Sequence, residues 1–202
     1  VDAAVESFQK ALTVNPDYAG AHNNLGIALH RLEQVGDAVE CYEKAIAIQP
    51  DYAEAHNNLG NAYKELGQLD DSVKCYKKAL TLKPDYTRAH NNLGIAFKQL
   101  GQLDDAVECY EKAIAIQPDY AEAHNNLGNA YKELGQLDDA VKSYEKALDL
   151  NPDYAYAHNN LGNAFKELGQ LDDAVKSYEK ALDLKPDFIG AQNNLSNAKA
   201  LK

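Results

Sequence analysis

Three residue types recur in this chain at spacings that invite chemistry. Histidines stand at His22, His56, His90, His124 and His158, each 34 residues from the last. Cysteines stand at Cys41, Cys75 and Cys109, again 34 apart, and carboxylate pairs at Asp70-Asp71, Asp104-Asp105, Asp138-Asp139 and Asp172-Asp173. The first two sets have the chemistry of zinc ligands and the third that of an acid dyad. Spacing argues against each. Zinc holds its ligands at ~2 Å, whereas packed helices lie ~8–10 Å apart, so histidines two helices apart cannot share an ion. The cysteines form no CxxC pair, and serine stands at the matching places 7, 143 and 177; neither a metal site nor a disulfide framework tolerates that exchange. They read as small half-buried side chains in a reducing compartment. The histidines read as aromatic residues of a core or interface, and the Asp pairs as helix caps at the positive end of a helix dipole. No Walker loop, nucleophile elbow or dinucleotide fingerprint occurs. The expectation is a chain without catalytic residues, metal or cofactor.

What remains is a repeated amide. Asparagine pairs occur at Asn23-Asn24, Asn57-Asn58, Asn91-Asn92, Asn125-Asn126, Asn159-Asn160 and Asn193-Asn194. A third amide follows at Asn61, Asn129, Asn163 and Asn197, with Ile27 and Ile95 at the corresponding places of two other units. Asparagine is a mediocre helix former, so six pairs in mid-helix are locally unfavourable and call for a reason. A row of amides offers donors and acceptors in both senses, which suits the backbone of an extended peptide. Against this stands the plainer reading that one asparagine of each pair bonds within its own hairpin. Lys64, Lys98, Lys132 and Lys166 lie near the ends of the same segments and are candidates to receive acidic groups, with Glu65, Glu133 and Glu167 beside three of them.

The elements that position these residues follow from the same period. All six prolines, from Pro16 to Pro186, are 34 apart. Five full units result, 19–52, 53–86, 87–120, 121–154 and 155–188, flanked by a half unit 1–18 holding only a second helix and a half unit 189–202 holding only a first. In unit 121–154, Ala123, Leu127, Ala130, Tyr131 and Leu134 form one helical stripe, and Ala140, Val141, Tyr144, Ala147, Leu148 and Leu150 a second. Gly135 suits a left-handed residue after the first helix, Asp138 or Asp139 an N-cap of the second, and Pro152 stops it. Asp153 suits the next cap, and Asp51…Glu54 and Asp119…Glu122 have the form of capping boxes. Glycine in mid-helix costs about 0.5–1 kcal/mol, yet Gly26, Gly60, Gly94, Gly128 and Gly162 stand there; the spacing predicts close approach of a partner helix bearing Ala38, Ala106 or Ala140. Unit 19–52 has Glu33 where the others have Gly67, Gly101, Gly135 and Gly169, which predicts an altered or strained turn.

His124, Leu127, Gly128, Tyr131, Ala140, Tyr144, Ala147 and Pro152 together resemble the tetratricopeptide repeat (TPR) pattern, with His where Trp or Tyr is usual. The resemblance covers the whole chain, read as one array. It implies an all-α, right-handed superhelical solenoid of antiparallel helix hairpins, with a concave groove lined by the first helix of each hairpin. The second Asn of each pair matches the asparagine ladder of the repeats in O-linked N-acetylglucosamine transferases, which implies an extended peptide in that groove. The family's carboxylate clamp wants Lys and Arg where this chain has Asn; Arg88 is the lone basic candidate.

Composition bounds the partners. The chain has 202 residues, 25% charged and 45% hydrophobic, with a net charge of −11. Phosphate and anionic lipid surfaces call for concentrated basic charge, so neither nucleic acid nor membrane is expected, and with no targeting signal the localisation is cytoplasmic. The expected partner is a protein or peptide. Two other readings remain open: a substrate-recruiting arm of a larger enzyme such as a glycosyltransferase, and head-to-tail self-association in which helix 1–15 completes helix 189–202 of another copy. Residues 37–71 and 105–139 are identical, as duplication or consensus-style design would both produce.

Overall fold

The computed structural model describes residues 2–202. Among them are twelve α-helices, with no strand. They are α1 (Asp2–Val14), α2 (Ala19–His30), α3 (Val35–Ile48), α4 (Ala53–Glu65), α5 (Leu69–Leu82), α6 (Thr87–Gln99), α7 (Leu103–Ile116), α8 (Ala121–Glu133), α9 (Leu137–Leu150), α10 (Ala155–Glu167), α11 (Leu171–Leu184) and α12 (Ile189–Leu201). The even-numbered helices are the first helices of the repeats, and the odd-numbered the second. The chain forms two compact units, one running to Gly101 and the other Gln102–Lys202.

Within the first unit α2 packs on α3 and α4 on α5, while α3 meets α4 and α5 meets α6. The second unit repeats this with α8 on α9 and α10 on α11, ending in α11 against α12. Successive first helices also touch, α2 with α4 and α8 with α10. The core of each unit is built from the predicted stripes: Ala38, Tyr42, Leu59 and Ala62 cluster in the first, and Ala140, Tyr144, Leu161 and Ala164 in the second.

The turns inside the hairpins explain the glycines that follow the first helices. Gly67 has φ 75°, and the N–H of Gln68 reaches back to the carbonyl of Tyr63 at 2.8 Å while that of Gly67 reaches Lys64 at 3.0 Å. This six-to-one bond is the Schellman closure that satisfies the last carbonyls of a helix. Glu33 makes the same closure at φ 61°, with Gln34 donating to Leu29 at 3.0 Å. The turn is therefore strained rather than rebuilt, because a Cβ crowds the left-handed region.

The caps differ from the sequence expectation. The second helices begin at least two residues earlier than the Asp pairs require: Gln136 is the N-cap of α9 without a side-chain bond, and Asp138 and Asp139 lie in its first turn. The other three pairs are placed likewise. They interact with the helix dipole and with lysines one turn on, Lys74 with Asp71 at 2.8 Å and Lys142 with Asp139 at 3.0 Å. Nor do Asp51, Asp119 and Asp153 cap: Tyr52, Tyr120 and Tyr154 hold those positions with no side-chain cap bond, so no capping box forms. The turn is closed from elsewhere. His56 Nε2 lies 3.0 Å from the Pro50 carbonyl, and His22, His90, His124 and His158 make the equivalent bond at 2.8–3.0 Å. In α12 Gln192 Nε2 donates to Pro186 at 2.8 Å in the same way. Facing a carbonyl acceptor, Nε2 carries the proton. The histidines thus tie each proline turn to the helix that follows it, His56 and His124 buried and the other three half-buried.

The mid-helix glycines are also explained differently. A Cβ on Gly60 would sit 2.7 Å from the ring of Tyr76, and one on Gly26, Gly128 or Gly162 2.6 Å from Tyr42, Tyr144 or Tyr178. The close neighbour is an aromatic ring lying flat on the helix backbone, not a small residue of the partner helix. The ring is the largest buried group of each second helix, and burying it outweighs the local cost of glycine.

α1 is better covered than the sequence suggests. It packs on α2, leaving Phe8, Ala11 and Leu12 half-buried and Ala4 exposed. Ala4 and Phe8 border an open depression of about 430 Å³ whose other wall is Asn24, Ile27, Ala28 and Arg31 of the neighbouring hairpin.

Candidate functional site

The asparagine pairs divide their labour by one residue of helix phase. Turning by ~100° per residue puts the first of each pair inward and the second toward the edge of the same face in α2, α4, α6, α8 and α10, whereas in α12 Asn193 is exposed. Asn23, Asn57, Asn91, Asn125 and Asn159 are buried, while Asn58, Asn92, Asn126, Asn160 and Asn194 are half-buried and Asn24 is exposed. The second asparagine of one repeat donates its amide to the first asparagine of the repeat before: Asn58 to Asn23 Oδ1 at 3.0 Å, Asn92 to Asn57 at 3.1 Å, Asn160 to Asn125 at 3.0 Å and Asn194 to Asn159 at 3.0 Å. Within a pair the first amide reaches the second oxygen only at 3.5 Å, as in Asn57 to Asn58. The asparagines therefore bond between hairpins rather than within one, and they set the register of one first helix on the next.

The third amide has a separate partner. Tyr76 Oη donates to Asn61 Oδ1 at 2.7 Å, Tyr144 to Asn129 at 2.8 Å and Tyr178 to Asn163 at 2.8 Å. These bonds satisfy hydroxyls that are otherwise buried, as buried polar groups require. Burial pushes the Tyr178 hydroxyl up to about 12 and the others upward as well, so each stays a donor. Where isoleucine replaces the third amide the arrangement lapses. Tyr42, in the hairpin with Ile27, has no such bond, and the buried Tyr110 Oη has no partner.

The lysines are less uniform than their spacing. Lys132 Nζ lies 3.6 Å from Glu167 of the following repeat, and His30, at the same repeat position in α2, lies 2.7 Å from Glu65. Lys64 and Lys98 also have interaction partners, and Lys166 is half-exposed on α10. The His30–Glu65 and Lys132–Glu167 pairs each join neighbouring repeats. Arg88 is exposed at the start of α6.

Two features bear on other chemistry. Cys41 and Cys109 are buried and Cys75 half-buried, all unbridged. Burial pushes the Cys75 thiol up to about 11, which removes its thiolate at neutral pH. Among the described residues no three His, Cys, Asp or Glu side chains converge on a metal position, and no helix is long and apolar enough to cross a membrane.

Ser196 occupies the position held by Gly26, Gly60, Gly128 and Gly162 in other first helices.

What sequence reading missed is the tyrosine hydroxyl and the buried role of the first asparagine. The co-occurrence of Asn61 with Tyr76, at a constant 15-residue separation repeated at Asn129–Tyr144 and Asn163–Tyr178, was a usable signal for the first.

Family models described as TPR repeat match residues 1–33, 29–67, 60–101, 96–135 and 128–169, and one described as tetratricopeptide repeat matches 155–188. No curated protein matches the chain. Among solved structures, MamA is 28% identical over 80% of this chain and 95% of its own, with a TM-score of 0.73. TTC0263, a thermophilic TPR protein of Thermus thermophilus, is 25% identical over 91% of this chain and 100% of its own, with a TM-score of 0.72. YrrB, described as a TPR protein with an unusual peptide-binding site, is 24% identical over 94% of this chain and 97% of its own at a TM-score of 0.72, a likeness of fold alone. With the repeat matches spanning the helices that carry the Asn, Gly, Tyr and Pro positions, the chain belongs to the tetratricopeptide repeat family.

Proposed function

We propose that this chain is a protein-interaction scaffold that holds an extended peptide segment along its first helices, gripping the peptide backbone with the second asparagine of each pair. The observation that supports this is the division of labour within the pairs. The first asparagines are buried and give their oxygen to the next repeat, so they hold the register. Asn58, Asn92, Asn160 and Asn194 use one N–H in that bond, are half-buried, and each carries a second N–H and an amide oxygen that a peptide group can meet. An oriented amide is a pre-organised partner for a peptide group, since its rotamer is already held by its bond to the neighbouring repeat. Asn61, Asn129 and Asn163 each accept one tyrosine hydroxyl through their oxygen and have two N–H donors to add. Lys166 and the Glu-paired Lys132 contribute edge charge rather than backbone recognition. A backbone reader of this kind accepts many sequences, which suits disordered partners that order on binding. YrrB, whose structure bears the same fold, is itself described as having a peptide-binding site.

The test is selection from a displayed random-peptide library on the chain and on a variant carrying Asn92→Ala, Asn126→Ala and Asn160→Ala, with circular dichroism as the folding control. Each lost contact weakens binding by about 0.5–1.5 kcal/mol. Peptides selected on the parent should therefore bind the triple variant on the order of a hundredfold more weakly. Equal binding to both would rule out the asparagine face as the site.

A further inference from the structure

The hairpins α2–α3 and α4–α5 differ at the place held by Ile27 in one and Asn61 in the other, and the difference leaves a tyrosine donor without a side-chain acceptor. In α4–α5 the Tyr76 hydroxyl is bonded to Asn61 at 2.7 Å. In α2–α3 the equivalent helix position is Ile27, and Tyr42, only 1% exposed, makes no such bond. Instead Tyr42 lines an open pocket of about 230 Å³ together with Ile27, His30, Arg31 and Asn58. Asn58 belongs to the proposed peptide-binding row, so the pocket opens beside that row. Its polar walls offer donors. Asn58 has an N–H beyond the one given to Asn23, and Arg31, the residue that ends α2, presents a guanidinium. His30, a wall of the pocket, is bonded to Glu65 of the next repeat at 2.7 Å.

We propose that this pocket receives an acidic side chain, aspartate or glutamate, of the bound peptide. One carboxylate oxygen accepts the Tyr42 hydroxyl, taking the place that Asn61 Oδ1 takes over Tyr76, and Arg31 neutralises the charge. The inference rests on the peptide-binding reading and adds to it a selectivity that a backbone reader lacks: one position along the peptide is acidic, and it fixes which residue of the segment lies at α2. The aliphatic wall of Ile27 admits the methylene carbons of that side chain. Burial pushes the Tyr42 hydroxyl upward from its ordinary range, which keeps it a donor toward a carboxylate. The walls are drawn from α2, α3 and α4 of one unit, so the pocket is complete within it.

Ile27→Asn is the decisive variant, because Asn61, Asn129 and Asn163 show that the fold accepts asparagine there and the new amide would take the Tyr42 hydroxyl internally. Tyr42→Phe removes the donor instead. Peptides selected on the parent should share an acidic residue at one position. Those peptides should lose about tenfold or more in affinity on either variant, while replacing their acidic residue by alanine should cost the same on the parent and nothing on the variants. A selected set with no acidic preference, or one whose preference survives both substitutions, overturns the proposal and leaves the groove reading standing. A second measurement is independent of selection. N-acetyl-aspartate N′-methylamide, titrated into chain labelled with 13C-tyrosine, should shift the Tyr42 ring resonance saturably in the parent and leave it unmoved in Ile27→Asn. That shift without any selected peptide would discard the groove and keep the pocket; no shift in the parent would discard the pocket.

Discussion

The hairpins α2–α3 and α4–α5 are built on one pattern, stand side by side in one unit, and differ in several side chains, Arg31 against Glu65 among them. Ile27 replaces Asn61, Glu33 replaces Gly67, and Cys41 is buried where Cys75 is half-exposed. The backbone barely registers the changes, since both hairpins keep the aromatic ring on glycine, the Schellman turn and the histidine brace. What changes is which polar groups are satisfied. The second hairpin closes its tyrosine on itself, and the first leaves it to a pocket. Shape in this fold is set by the repeated apolar and glycine positions, and selectivity by the few positions that the repeat leaves free to vary.

The contrast can be broken first at the glycines. Gly60→Ala brings a Cβ to 2.7 Å from the Tyr76 ring, which is fully buried and tethered through its hydroxyl. Overpacking of this kind destabilises by about 2–3 kcal/mol, and hydrogen exchange should show the loss in α4 and α5. Gly26→Ala makes an equally close approach, at 2.6 Å, but Tyr42 is untethered and has a pocket beside it. Its cost should be about 1 kcal/mol smaller, the worth of the absent hydrogen bond; equal losses in α2–α3 and α4–α5 would remove the distinction between the hairpins.

Removing the hydroxyls themselves comes next. Tyr76→Phe should lower stability by about 1 kcal/mol, because it deletes a bond and leaves Asn61 without its partner. Tyr42→Phe should leave stability within about 0.5 kcal/mol, as for a substitution that breaks no feature of the fold. Denaturant midpoints of the two variants, compared at one temperature, decide this.

The turns offer a similar contrast with opposite signs. Glu33→Gly should stabilise the first hairpin by about 1 kcal/mol by relieving the left-handed strain, and Gly67→Glu should destabilise the second by a similar amount. Thermal unfolding of both variants would show whether φ alone accounts for the difference.

The smallest effect is kinetic. The Cys75 thiol is pushed up to about 11 by burial, and that of Cys41 is also raised. Raised values mean the reactive thiolate is lost as pH falls below them, so alkylation of the native chain at pH 8 should be far slower than that of an unfolded cysteine, whose pKa is about 8.5. The rate at Cys75, which borders an open apolar cleft with Ile46, Leu59 and Tyr63, should climb between about pH 9 and 11. Cys41 should lag behind it throughout. Peptide mapping of labelled protein separates the two.

The period alone legibly placed the helices, because it carries the apolar stripe, the turn glycine and the proline stop, each of which acts over a few residues. Glu33 was readable as a strained turn for the same reason: left-handed backbone is a property of one residue. The caps were misplaced because an Asp at the second or third helical position and an Asp at the cap look alike in a string, and only the backbone bonds that define the first turn separate them. The glycine contact was assigned to alanine because spacing names the helix that approaches but not which of its side chains lies flat on the backbone.

Nearness in sequence settled whatever depends on local backbone: twelve helices among the described residues, their pairing into hairpins, and the row of amides on every first helix. Tertiary structure alone decided how those amides are used. Asn57 and Asn58 are neighbours in the string, yet one is buried as an acceptor for Asn92 while the other donates to Asn23 and keeps a half-exposed edge. Their fates part because a helix turns by about 100° at each residue and because the partners come from the repeats before and after, 35 residues away. Tyr42 and Tyr76 part for the same physical reason, since whether a buried hydroxyl is satisfied depends on the side chain that the neighbouring helix lays across it.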